Sequence, residues 1–309
     1  MTSTSELFGI PVAVLALIIA AISLAVALST LIWQIVKHLL DGGRVRVRLN
    51  VGILQPRAQL SVNQNGRFVM QDPGRTGLLR RNIEVAQLVV ENPGRSAVTI
   101  HGPTLDIRGV SKKPYSVSPR RFPWDGDGHD DAEMKSSVRL DPYSRAVFLL
   151  DFWSVIPDLH GQAAGDAIYL RGMVHVGGRR RPRKSSRRRS WKIPVGAWTV
   201  SSASDKIDPY TVMWREVYRS YGLASQSDGW EGPDFESLEA VIYETARHLG
   251  GRPSRDQLSD ALERAAQHLH VDFDALPMMA FQIDNALDLH GEHLGAWPLS
   301  SRLPSTHTE

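Results

Sequence analysis

Two groups of side chains in this sequence have types and spacings that could do chemistry. The first is a run of histidines in the C-terminal third: His248, His268, His270, His290 and His293, with Glu244 one helical turn before His248. Residues four apart share a helix face. Glu244 and His248 could therefore meet His290 and His293 inside a helical bundle and bind a divalent metal for hydrolysis. The sequence falls short of the known zinc patterns. His-Glu-x-x-His is absent, and His290-Gly291-Glu292-His293 is one residue short of the inverted motif. Histidines near helix ends also favour the helix dipole and face water, and that is the expectation here.

The second group is Arg179, Arg180, Arg181, Arg183, Lys184, Arg187, Arg188 and Arg189, eight cations within eleven residues. The expectation is an exposed hairpin tip that engages anionic lipid headgroups or an acidic partner. Nucleic-acid binding through this segment is a weaker alternative. Only Tyr169 and Trp191 stand nearby, so the stacking platform of a single-strand binder is missing. Ser185, Ser186 and Ser190 would let phosphorylation place negative charge inside the cluster. An acidic stretch, Trp124 to Glu133, alternates like a calcium loop at first. It then has Asp130 where Gly belongs and Ser136 where Glu belongs, so it reads as an acidic loop. The sequence contains no phosphate-binding loop and no Gly-x-Ser-x-Gly elbow. It implies no cofactor and favours binding over catalysis.

The elements that would position these groups begin with Leu7 to Val36, thirty positions without a charge. A bilayer core of roughly 30 Å needs about 20 apolar helical residues. Pro11 suits the first turn, and Trp33 the interfacial layer. Ala25-Val26-Ala27 offers a signal-cleavage pattern, but no Lys or Arg precedes the run and apolar residues continue past it. An uncleaved anchor is expected. Lys37, Arg44, Arg46 and Arg48 follow it, which by the positive-inside tendency leaves a short N-terminus outside and the remainder cytoplasmic. That implies a single-pass protein of the cell (inner) membrane. The absence of Cys fits a reducing compartment. Ala21, Ala25 and Ser29 recur every four residues and could pack two such helices into a homodimer.

Beyond the anchor the charge divides. Lys37 to Ser204 carries 28 Lys+Arg against 14 Asp+Glu, whereas Asp205 to Glu309 carries 8 against 18. Two modules with different neighbours are implied: a basic one against the anionic leaflet, and an acidic one presented to a protein partner. From Arg44 the hydropathy alternates with period two, and further stretches follow at Ile83–Val90, Ala97–Ile107, Val138–Leu140, Ala146–Phe152, Ala167–Val176 and Trp191–Val200. Asn92-Pro93-Gly94-Arg95 suggests a type II turn, with further turns at Asp141–Ser144 and Gly177-Gly178. No helical pattern interrupts these strands, so an antiparallel β-sandwich is expected. The run VVENPGRSAVTIHGPTLDI, followed by LDPYSRAVFLLDF, resembles immunoglobulin-like sandwiches of bacterial surface and membrane proteins. The resemblance implies binding or spacing and no reaction. The Arg- and Ala-rich composition is also similar to that of proteins from high-GC bacterial genomes.

After Val200 the period becomes helical. Four helices are expected: one from Asp208-Pro209, one over 234–249, one from the capping box Ser254-x-x-Gln257, and one from about Asp274 to His290. The expected class is α+β multidomain. It would comprise a tail (1–6), a transmembrane helix and turn (7–40), an immunoglobulin-like sandwich (44–200), a linker (201–207), a helical module (208–297) and a flexible tail (298–309). The function expected is a membrane-anchored interaction or scaffold protein.

Overall fold

The computed structural model describes residues 6–7, 10–41, 43–55, 59–63, 66–68, 83–110, 115–117, 120–121, 137–200, 206–224, 233 and 235–297. The acidic stretch 124–133, the serine-rich residues 201–205 and the tail 298–309 lie outside them. Two short paired strands, β1 (Glu6–Leu7) and β2 (Ile10–Pro11), precede helix α1 (Val12–Asp41). Within α1 the apolar span Val14–Lys37 has none of its residues buried, and Leu17 is 70% exposed. Its 24 residues rise roughly 36 Å. The helix is therefore long and apolar enough to cross a membrane. Two of its hydroxyls turn back on their own backbone: Ser29 donates to the Ala25 carbonyl and Thr30 to that of Val26.

Two antiparallel sheets follow. The first runs β4 (Gln59–Asn63), β3 (Arg46–Gln55), β5 (Ile83–Glu91), β10 (Arg145–Asp151), β8 (Arg120–Arg121). The second runs β12 (Arg183–Lys184), β11 (Ala167–Val176), β6 (Val98–Arg108), β7 (Tyr115–Val117), with β9 (Ser137–Leu140) on β6 and β13 (Trp191–Pro194) on β11. Val47, Leu49, Leu88 and Val90 of the first sheet share one core with Ile100, Leu105, Ile107, Leu170 and Val174 of the second. Gly172 marks their closest approach, since a Cβ there would stand 2.2 Å from Leu88 Cδ1.

Three local expectations are corrected. A short helix, α2 (Ile156–Gly161), interrupts the strands. The last strand stops at Pro194 instead of Val200, because Gly196, at φ +86°, turns the chain. The 92–95 turn is organised by the Asn92 side chain. Its Oδ1 accepts from the backbone N–H groups of Gly94 and Arg44, and its Nδ2 donates to the carbonyls of Ser96, Leu140 and Asp141. One buried amide thus joins the exit from α1 to two turns.

The C-terminal helices are α3 (Pro209–Ala224), α4 (Phe235–His248), α5 (Arg255–His268) and α6 (Leu276–His290). Asp208 caps α3 by accepting from Tyr210 N–H, and the Ser254/Gln257 capping box on α5 is formed in both directions. Strand β5 is buried on both faces, as expected of a strand covered twice. Trp214 and Tyr218 of α3 close over Ile83, Val85 and Leu149.

The contact between α3 and the sheet is ionic at its centre. Arg215 Nη2 lies 3.0 Å from Glu84 Oε2, and both residues are buried. Val200 N–H donates to both Glu84 oxygens, and the guanidinium lies 4.1 Å over the Trp153 ring. Burial pushes the Glu84 carboxyl up and the Arg215 guanidinium down, and each partner opposes the other's shift. One turn on, Arg219 meets Asp151 at 2.7 Å and also Glu216. Replacing Arg215 alone would strand a buried carboxylate. Arg215→Ala is expected to cost roughly 3–5 kcal/mol in chemical denaturation followed by tryptophan fluorescence, and Glu84→Leu/Arg215→Leu should recover most of that loss.

Candidate functional site

The Arg-rich segment is built into the second sheet. After Gly178, at φ +72°, β12 pairs Lys184 with Met173 and Arg183 with Val174. Ser185 then substitutes for a strand residue. Its N–H donates to the Gly172 carbonyl, and its Oγ accepts from Gly172 N–H at 3.1 Å. Arg171 closes the far side, donating from Nε to the Ser185 carbonyl at 2.8 Å. Arg187–Arg189 make a single 3-10 turn, in which Arg189 N–H bonds the Ser186 carbonyl. The segment turns back antiparallel on β11 and is held to it by more than the hairpin itself. The arginine side chains are exposed, but Ser185 is buried and bonded, so a kinase could reach it only after the segment opens.

This segment is fixed at two further points. Lys184 Nζ lies 2.7 Å from Asp106 Oδ1, and Arg108 approaches the other oxygen of the same buried carboxylate at 3.5 Å. Burial lowers the Arg171 pKa, and the Arg108 and Arg187 guanidiniums lower it further, while Asp106 opposes them. Arg179 Nη2 donates to the carbonyl of Gly43 at 3.0 Å, two residues after α1 ends. The cationic segment therefore starts where the apolar helix delivers the chain.

Between β3 and this segment lies a groove of about 630 Å³. Arg46 and Arg48 line one wall, and Arg183, Lys184, Ser186 and Arg189 the other. Gly66 lies against Arg189: a Cβ on it would sit 3.1 Å from Arg189 Cβ, and its φ of +67° suits glycine. Two of the five cations are matched by carboxylates, Arg48 by Glu91 at 3.2 Å and Lys184 by Asp106. Arg46, Arg183 and Arg189 have no acidic partner among the described residues. The sequence showed both cationic stretches, but as separate features: Arg46 and Arg48 as topology determinants beside Lys37 and Arg44, and 179–189 as a tip. Their convergence needs the long-range contact between the sheets, which no local period reports.

The structure does not gather the four candidate metal ligands. Glu244 and His248 form an exposed i,i+4 pair at 2.9 Å, and that hydrogen bond holds the Glu244 carboxyl below its usual range. His290 bonds the Ala286 carbonyl through Nδ1. Among the described residues no group of three or more His, Asp or Glu stands where it could hold a metal ion. His290 and His293 instead border Trp198, with ring centroids 5.1 and 4.7 Å away, and His160 of α2 packs on the same indole at 4.7 Å. The sequence matches no protein-family model, and no curated protein or solved structure is similar to it.

Burial brings His160 and His290 down to about 4, with the nearby His293 adding to the effect at both and Arg215 and Arg219 at His290. Both imidazoles are neutral in the folded protein and gain protons on unfolding. Their contribution to stability is complete above the ordinary histidine value of 6.5 and is lost as pH falls to about 4. The denaturation midpoint should fall across that window, and His160→Phe should flatten the fall. A midpoint independent of pH would contradict the buried neutral pair.

Proposed function

We propose that this chain is a membrane-anchored interaction protein whose basic, sandwich-like pair of sheets lies against an anionic leaflet. α1 is the anchor. The flanking Lys37, Arg44, Arg46 and Arg48 support, by the positive-inside tendency, a cytoplasmic side of the cell membrane for the sheets and the C-terminal helices. The Arg179–Gly43 hydrogen bond carries the reading, because it keeps the densest cationic segment beside the membrane exit. Only four residues lie between Asp41 and Arg46, five steps that span at most about 18 Å of chain. Each Lys or Arg near an anionic surface contributes on the order of 1 kcal/mol, fading within a Debye length.

The helical module is the partner-binding part of this reading. On α6, Met278, Phe281 and Leu289 are exposed large apolar side chains bordering a cavity of about 340 Å³ that Trp153 and Arg219 also line. An exposed apolar strip rimmed by charge suits protein contact. Tethering raises local concentration, so a modest affinity suffices.

The test is hydrogen exchange on the full-length protein in nanodiscs of neutral or anionic lipid. Residues 177–190 should exchange several-fold more slowly on phosphatidylglycerol than on phosphatidylcholine, and high salt should erase the difference. Equal exchange on both lipids would overturn leaflet contact. A reporter fused after Glu309 that is active only outside the cell would overturn the orientation.

A further inference from the structure

We infer that the groove between β3 and the 183–189 segment is a binding site for a phosphomonoester, carried by a lipid headgroup or free in solution. The inference rests on the membrane-anchored reading only for the source of the phosphate. A diffuse polybasic surface attracts any anion, whereas this groove has walls. Arg46 and Arg48 come from β3, Arg183 from β12 and Arg189 from the 3-10 turn that follows it, and the volume of about 630 Å³ falls in the range of small-ligand sites.

Charge selects the ligand class. With Arg48 matched by Glu91 and Lys184 by Asp106, three guanidiniums have no acidic partner among the described residues and face the ligand. A phosphomonoester carries about −1.5 to −2 at neutral pH, a better match than the single charge of a phosphodiester. Guanidiniums present paired donors in a fixed fork that fits phosphate oxygens, and Ser186 adds a hydroxyl at the rim. The walls are also held in place before binding. Ser185 is bonded to Gly172 on both its N–H and Oγ, and Lys184 to Asp106. Less ordering is therefore needed when the ligand arrives. Arg187 and Arg188 belong to the same run but do not line the groove. That difference separates a site from a patch.

The experiment uses the full-length protein in neutral detergent micelles, titrated with inorganic pyrophosphate by calorimetry. Arg46→Ala and Arg189→Ala should each weaken binding about tenfold, as expected for loss of a charge-assisted pair, with Arg46→Lys in between. Arg188→Ala removes the same charge from the same segment and should change binding less than twofold. Thermal unfolding of each variant checks that the sheets are intact. In nanodiscs, phosphatidic acid should protect residues 183–189 from hydrogen exchange more than phosphatidylglycerol does, and Arg46→Ala should abolish that preference. Pyrophosphate binding without a phosphatidic acid preference supports the site and assigns it to a soluble phosphate. Pyrophosphate binding without protection by any anionic lipid keeps the groove and removes the leaflet reading. Equal losses in Arg46→Ala, Arg189→Ala and Arg188→Ala would overturn the groove and leave only diffuse attraction. So would an absence of pyrophosphate binding.

Discussion

The buried pair between Glu84 and Arg215 decides how the rest of this protein is arranged. Neither charge is tolerable alone in a water-free contact, so α3 can dock on β5 only where guanidinium and carboxylate coincide. The pair fixes the register of the helix, and the apolar closure of Trp214 and Tyr218 over Ile83, Val85 and Leu149 then supplies most of the gain from burial. Val200 N–H adds a third tie to the same carboxylate, so the chain leaving the sheets is held at the point where the helices begin. The strands and helices consequently share one hydrophobic core running from Val47 to Leu287. Sequence halves of opposite charge are thus joined by an internal ion pair, while their surface charges remain free to face different neighbours.

The same logic, a polar group satisfied where the backbone changes course, recurs at the groove. Gly172 is small because Leu88 of the opposite sheet occupies the space a side chain would need. Ser185 completes hydrogen bonding at that residue where a longer β12 would otherwise be required. Asp106, buried on β6, then anchors Lys184 and leaves the adjacent guanidiniums pointing outward. Cationic side chains are displayed on an edge where the carbonyls of Gly172 and Ser185 are both paired.

Much of the framework was legible in the sequence because period and capping are local signals. Alternation from Arg44 and across Ile83–Val90, Ala97–Ile107 and Ala167–Val176 placed the starts of the long strands within two residues, although β3 runs on to Gln55. Asp208-Pro209 and Ser254-x-x-Gln257 placed two helix starts. The short elements were not legible. β12 is two charged residues paired through a neighbouring serine, and α2 is a single turn and a half begun by Pro157, too brief for a period to register. The site was half visible: the arginine run stood out, whereas its opposite wall depended on contacts more than a hundred residues apart. The histidines had ligand-like spacing, yet the fold gave two of them to an indole.

The Asn92 side chain has a mechanical consequence. α1 leads through Gly43 and Arg44 directly into β3, so any pull on that helix enters the fold along that strand. β3 lies antiparallel to β5 over nine paired residues, Arg46↔Glu91 to Leu54↔Ile83, and a pull on its leading end loads all of those bonds in shear together. Peeling would need the leading end to lift away first. The Asn92 amide opposes that by clamping Arg44 N–H and the turns beyond β5 and β9 in one knot. Tension applied through α1 is thereby shared across both sheets, in the manner of a rivet at the root of a cantilever.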